Sequence, residues 1–153
     1  MDTIDKQKAA RVWERVREQP KQAPEHHGLP GLIAGEWTDA ATYLQLSRRF
    51  TGQQSALLRK LHEQELTHTA TLKGIYTLVT GEHPTVPAVQ PPTENTEAAL
   101  RRCYGREMQC LAAYEARAAD PEYGQVFSRL AQQEREHCHI LLRLIGSLKT
   151  GKT

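Results

Sequence analysis

Apolar positions recur along this chain at helical spacing and almost nowhere with the two-residue alternation of a strand. A short amphipathic segment covers residues 4–18, where Ile4, Val12, Trp13 and Val16 fall on one face. Pro20 to Pro30, with Gly28 and the adjacent His26 and His27, then reads as a linker. Four longer helical stretches follow, at 31–50, 53–80, 94–119 and 121–148. Only Thr51-Gly52 marks the break between the first two. Between the second and third, Gly81 to Thr93 carries Pro84, Pro87, Pro91 and Pro92, which no helix interior tolerates. Asp120-Pro121 supplies an N-cap followed by proline at a first helical position. The expected fold class is all-α, a four-helix bundle with a short N-terminal helix. Residues 1–29 are expected to form that helix and its linker, and residues 30–153 the bundle.

The polar positions repeat. Glu36 and Tyr43 stand seven residues apart, as do Glu107 and Tyr114. Leu61-His-Glu-Gln-Glu65-Leu-Thr-His68 aligns with Leu130-Ala-Gln-Gln-Glu134-Arg-Glu-His137. Leu72 then falls with Leu141, and each half closes on Thr-Gly, at Thr80-Gly81 and Thr150-Gly151. Two helical hairpins with one polar pattern follow from this repeat.

The heights of these residues point to their chemistry. With the first turn at Thr51-Gly52, Glu36 and Glu65 both lie roughly 20–22 Å from it at 1.5 Å per residue. Glu107 and Glu134 are likewise level about Asp120-Pro121. The i, i+3 spacing in Glu65-x-x-His68 and Glu134-x-x-His137 puts each pair on one helix face. Four carboxylates and two imidazoles meeting in a core need charge neutralisation, which two divalent metal ions provide. One Glu from each of two helices and Glu-x-x-His from each of two others is the ligand set of a dimetal carboxylate bundle. Oxygen donors with two imidazoles suit iron or manganese, with zinc able to take their place.

On these motifs, over roughly residues 30–148, the chain resembles the ferritin-like superfamily and, within it, the rubrerythrin-like proteins. The resemblance implies a ferritin-like bundle and a redox-active di-iron site. Glu65 and Glu134 match the bridging carboxylates, Glu36 and Glu107 the terminal ones, and His68 and His137 the terminal imidazoles. Tyr43 and Tyr114 stand where the family has hydrogen-bond donors behind the ligands. Rubrerythrins also carry a glutamate three residues after the third-helix glutamate, where this chain has Cys110; Asp39 is the mirrored position. The resemblance further implies parallel second and third helices, so the link between them must travel the bundle length. Thirteen extended residues at about 3.1 Å each reach about 40 Å, which matches a helix of about 27 residues.

Composition narrows the partners. Lys and Arg outnumber Asp and Glu by 20 to 18, a balance too even to argue for nucleic acid or an anionic membrane. No apolar run approaches the length of a membrane span, and the N-terminus lacks a signal-peptide core, so the expected location is the cytoplasm. Cys103, Cys110 and Cys138 form no C-x-x-C pair, which excludes a rubredoxin-type site on this chain. An enzyme of this kind is therefore expected to take electrons from a separate protein, with hydrogen peroxide or oxygen as oxidant. Fe(II) oxidation and peroxide reduction are both open, and a non-catalytic metal-binding or iron-sequestering module is the alternative. A homodimer is expected. Cys103 and Cys110 share a face with Glu107 and are expected to act as small buried hydrophobes, Cys110 having a redox role as the sharper alternative. His62, His83 and His139 are expected at the surface or rim.

Overall fold

The computed structural model describes residues 28–150. The helix expected at residues 4–18 lies outside the described residues, as does nearly all of its linker. Four helices make up the fold: α1 (Leu29–Ser47), α2 (Gly52–Thr80), α3 (Thr96–Arg117) and α4 (Gly124–Thr150). There is no strand among the described residues. None of these helices is long and apolar enough to cross a membrane.

Local chemistry sets the boundaries. Pro30 sits in the first turn of α1, where its missing N–H has no intrahelical acceptor to forfeit. The α1–α2 reversal uses Gly52 at φ 57°, and the Ser55 hydroxyl donates to the Ser47 carbonyl at 2.9 Å. Helix α1 thus stops three residues before Phe50. Gly81, at φ 74°, closes α2 in the left-handed conformation. The Asn95 side chain caps α3 by accepting from the Ala98 N–H at 2.9 Å. Asp120 accepts from the N–H groups of Glu122 and Tyr123 at 2.9 and 2.7 Å, so it caps a turn over 121–123. Regular α4 begins only at Gly124, three residues later than the proline signal placed it. A Cβ there would stand 2.4 Å from the Ala118 carbonyl oxygen, so a larger residue would force the α3–α4 turn apart.

The hydrogen bonds between hairpins define the topology. Helix α1 packs on α2, and α3 on α4. Across the hairpins, Tyr43 reaches Glu107 and Tyr114 reaches Glu36, so α1 and α3 are antiparallel. Gln54 meets Ser147 and His68 meets Gln133, so α2 and α4 are antiparallel as well. It follows that α2 and α3 run parallel and the 81–95 connection must return along the whole bundle. It does so beside α1. The Trp37 indole donates to the Pro87 carbonyl at 3.0 Å. Further along, Arg49 donates to the carbonyls of Pro92 and Glu94 at 2.8 and 2.9 Å.

Two apolar clusters fill the bundle ends. One gathers Tyr43, Leu46, Leu58, Leu61, Leu100 and Leu141; the other gathers Ile33, Leu72, Ile75, Tyr114 and Phe127. The polar layer lies between them, sealed from both ends. Leu61 and Leu141 are fully buried, and truncating either to alanine is expected to cost about 2–5 kcal/mol. Urea melts of the metal-free chain check this; a loss below about 1 kcal/mol would mean a core looser than that.

Candidate metal centre

Each helix contributes to the central layer at the height where the two apolar clusters leave off. Glu36 comes from α1, Glu65 and His68 from α2, Glu107 from α3, and Glu134 and His137 from α4. None of the six is more than 1% exposed. The structure brings together all six residues singled out from the repeat.

Their atoms are arranged about a pseudo-twofold axis. His68 Nδ1 lies 3.2 Å from Glu65 Oε2, 3.1 Å from Glu134 Oε1 and 3.9 Å from Glu36 Oε2. His137 Nδ1 lies 2.8 Å from Glu65 Oε1, 3.1 Å from Glu134 Oε2 and 3.6 Å from Glu107 Oε2. Glu65 and Glu134 therefore each offer one oxygen to either histidine, whereas Glu36 faces only His68 and Glu107 only His137. The two rings stack with centroids 5.4 Å apart.

A donor set fits a metal when its lone pairs converge without satisfying one another. Glu36 Oε2, Glu107 Oε2, both oxygens of Glu65 and of Glu134, and both Nδ1 atoms make no hydrogen bond. Buried polar atoms left so are uncommon and costly, and eight in one layer are a donor set that fits cations. The electrostatics agree. Burial disfavours a charged His137, yet the Glu107, Glu134 and Glu65 carboxylates beside it push its pKa up to about 12. Burial with Glu134 close by pushes Glu107 up to about 7. Burial, reinforced by the charges of Glu36 and Glu107, raises Glu65 well above the carboxylate range. The carboxylates thus draw positive charge into the layer, and without a metal the two imidazoles supply it.

A surrounding set of residues orients these side chains. His68 Nε2 pairs with Gln133 Oε1 at 2.8 Å, and His137 Nε2 with Gln64 Oε1 at 3.0 Å. With the carboxamide oxygen as acceptor, Nε2 keeps its proton, so a ring that gives up its second proton gives it up from Nδ1, the nitrogen that faces the carboxylates. Each tyrosine hydroxyl donates to the glutamate of the opposite hairpin, Tyr43 to Glu107 and Tyr114 to Glu36. Tyr114→Phe leaves Glu36 one donor short and is expected to destabilise the metal-free chain by about 1.5–3 kcal/mol. A chemical-denaturation midpoint unchanged from wild type would contradict that.

Asp39 and Cys110 both border this layer, each with a ligand atom within 4.8 Å of the other and of one on Glu36. Both Asp39 oxygens are held by Arg106, at 2.6 and 3.0 Å. Burial pushes the Asp39 carboxyl up to about 7 although Arg106 pulls it down. Gly35 makes room for that guanidinium, since a Cβ there would lie 2.6 Å from Arg106 Nη2. Cys103 and Cys138 are buried free thiols. His83 and His139 are exposed, and His62 is half-buried with Nδ1 2.7 Å from the Ala40 carbonyl oxygen. Sequence reasoning missed Gln64, Gln133 and Arg106. The glutamines had a signal, because Gln-Glu-x-x-His occurs in both halves of the repeat.

Two antiparallel hairpins, a full-length crossover and two Glu-x-x-His elements facing two lone glutamates define a ferritin-like four-helix bundle. The family model for Rubrerythrin matches residues 32–145, and the chain belongs to that family. Among solved structures, a Chlorobium tepidum ferritin superposes with a TM-score of 0.66 at 18% identity. The match covers 88% of this chain and 90% of that one, and the likeness is one of fold. No curated protein matches the chain in sequence.

Proposed function

We propose that this protein holds two iron ions in the central layer and uses them to reduce a small oxidant, hydrogen peroxide or oxygen. The observation that carries this reading is the set of eight buried, unpartnered donor atoms converging from four helices. Glu36 and His68 would hold one ion, Glu107 and His137 the other, with Glu65 and Glu134 bridging. When bound, each iron supplies one electron to the oxidant, so the pair delivers the two that a peroxide requires.

The chain's own residues do the rest. Gln64 and Gln133 keep the imidazoles in the ligating tautomer. Tyr43 and Tyr114 steady the terminal carboxylates while leaving one oxygen of each free to ligate. The apolar clusters above and below exclude bulk water, which strengthens every charge interaction in the layer. Ligands exposed by 1% or less admit only a small oxidant. A partly open cavity of about 150 Å³ exists among Leu29, Ile75, Tyr123 and Phe127, but it lies at the bundle end rather than at this layer. A separate electron-donor protein and a cytoplasmic location complete the proposal; the latter is supported by three buried cysteines kept as free thiols.

The test is metal content after anaerobic Fe(II) loading and desalting. About two iron atoms per chain are expected. Oxidation by peroxide and by oxygen, with and without reductant, then separates turnover from storage. A chain that retains no metal would end this reading.

A further inference from the structure

The repeat makes the two halves of the central layer nearly identical, and one place breaks the symmetry. Three residues beyond Glu36 stands Asp39, whereas three residues beyond Glu107 stands Cys110. The two side chains do not have the same freedom. Arg106 engages both Asp39 oxygens, so that carboxylate is committed to an ion pair. The charge of Arg106 also acts on Cys110, but its hydrogen bonds go to Asp39. Cys110 lies 5% exposed, and its sulfur is within 4.8 Å of ligand atoms on Glu36 and Asp39.

A buried cysteine alone would be only a small hydrophobe. Beside it, however, is a second observation that points to a ligand. Glu36 is fully buried and its Oε2 has no hydrogen-bond partner, while its Oε1 is occupied by Tyr114. Glu36 Oε2 faces His68 Nδ1 at 3.9 Å, and the Cys110 sulfur lies within 4.8 Å of a Glu36 carboxylate oxygen, so the thiol borders the Glu36 side of the layer.

Resting on the di-metal reading above, we infer that Cys110 Sγ is a ligand to the ion held by Glu36 and His68. One position is then built from oxygen, nitrogen and sulfur, and the Glu107–His137 position from oxygen and nitrogen alone. Ligation forms the sulfur–metal bond as the thiol proton leaves to solvent, with no change in oxidation state; a divalent cation deprotonates a coordinating thiol outright. The sulfur makes the first position the softer of the two, with a preference for thiophilic divalent ions such as cobalt, zinc or cadmium.

The experiment loads the full metal-free chain with Co(II) under anaerobic conditions and reads both metal content and the near-ultraviolet spectrum. About two cobalt ions per chain and a sulfur-to-cobalt charge-transfer band are expected. Cys110→Ala should lose the band while keeping cobalt at the second position, and Cys103→Ala should retain it. Two cobalt ions with no band, or a band that survives in Cys110→Ala, overturns the inference and leaves the di-metal reading standing. No bound cobalt overturns both. A measurement on the wild-type chain alone guards against a variant that fails to fold. Cadmium-113 resonances of the loaded chain should fall in two well-separated regions, the downfield one carrying the sulfur ligand. Two signals both in the oxygen–nitrogen region overturn the inference.

Discussion

Glu65→Gln is expected to abolish binding at both metal positions, whereas Glu36→Gln weakens only one. The asymmetry follows from reach. Glu65 presents Oε1 to His137 at 2.8 Å and Oε2 to His68 at 3.2 Å, so a single carboxylate would serve both proposed ions. Glu36 approaches His68 alone. A carboxamide keeps the shape but loses the charge and one acceptor. The thermal consequence separates ligation from folding. Metal at about 100 times its dissociation constant stabilises the native state by about 2.7 kcal/mol. In a domain of this size that raises the melting temperature by about 5–10 °C. The wild-type chain should gain that increment and Glu65→Gln should gain none. Without metal the order is expected to reverse, because the substitution removes one of four carboxylates crowded in a sealed layer. Metal titration followed by differential scanning calorimetry checks both halves. A Glu65→Gln protein that binds two ions with wild-type affinity would refute the bridging role.

Gln133→Leu is expected to lower metal affinity by about 10–100-fold, a loss typical of removing the partner of a ligating histidine. Leucine cannot accept from His68 Nε2, which Gln133 Oε1 meets at 2.8 Å. The ring is then free to take the tautomer that puts its proton on Nδ1, the atom proposed to ligate the metal. Gln64→Leu should act equally on His137, paired at 3.0 Å. Gln133→Glu retains an acceptor and should recover most of the affinity. Competition titrations against a calibrated chelator measure this directly. Loss in the leucine variant without recovery in the glutamate variant would indicate a packing defect instead of a lost acceptor.

The six central residues were legible because each helix carries its own contribution at local spacing. An i, i+3 pair fixes a helix face with no knowledge of neighbours, and the repeat set the heights. Helix ends were less legible. At Asp120-Pro121 the capping signal was real, but the turn it caps precedes α4 by a few residues, since Gly124 must first pass close to Ala118. Arg106 left no trace in the pattern. It resembles any other charged residue on α3 until Gly35 of α1 and buried Asp39 are seen beside it.

By itself, the sequence determined the four helices, the long proline-rich return and the set of carboxylates and imidazoles that share a layer. These follow from periodicity and from residues that forbid a helix, both of which act within one stretch of chain. Only the tertiary structure decided how the hairpins lock together: Tyr43 on Glu107, Tyr114 on Glu36, Gln133 behind His68 and Gln64 behind His137. Those bonds join residues far apart in the chain, and no local preference encodes them. They arise where α1 meets α3 and α2 meets α4. The same meeting ties Asp39 to Arg106 and leaves the Cys110 sulfur beside Glu36.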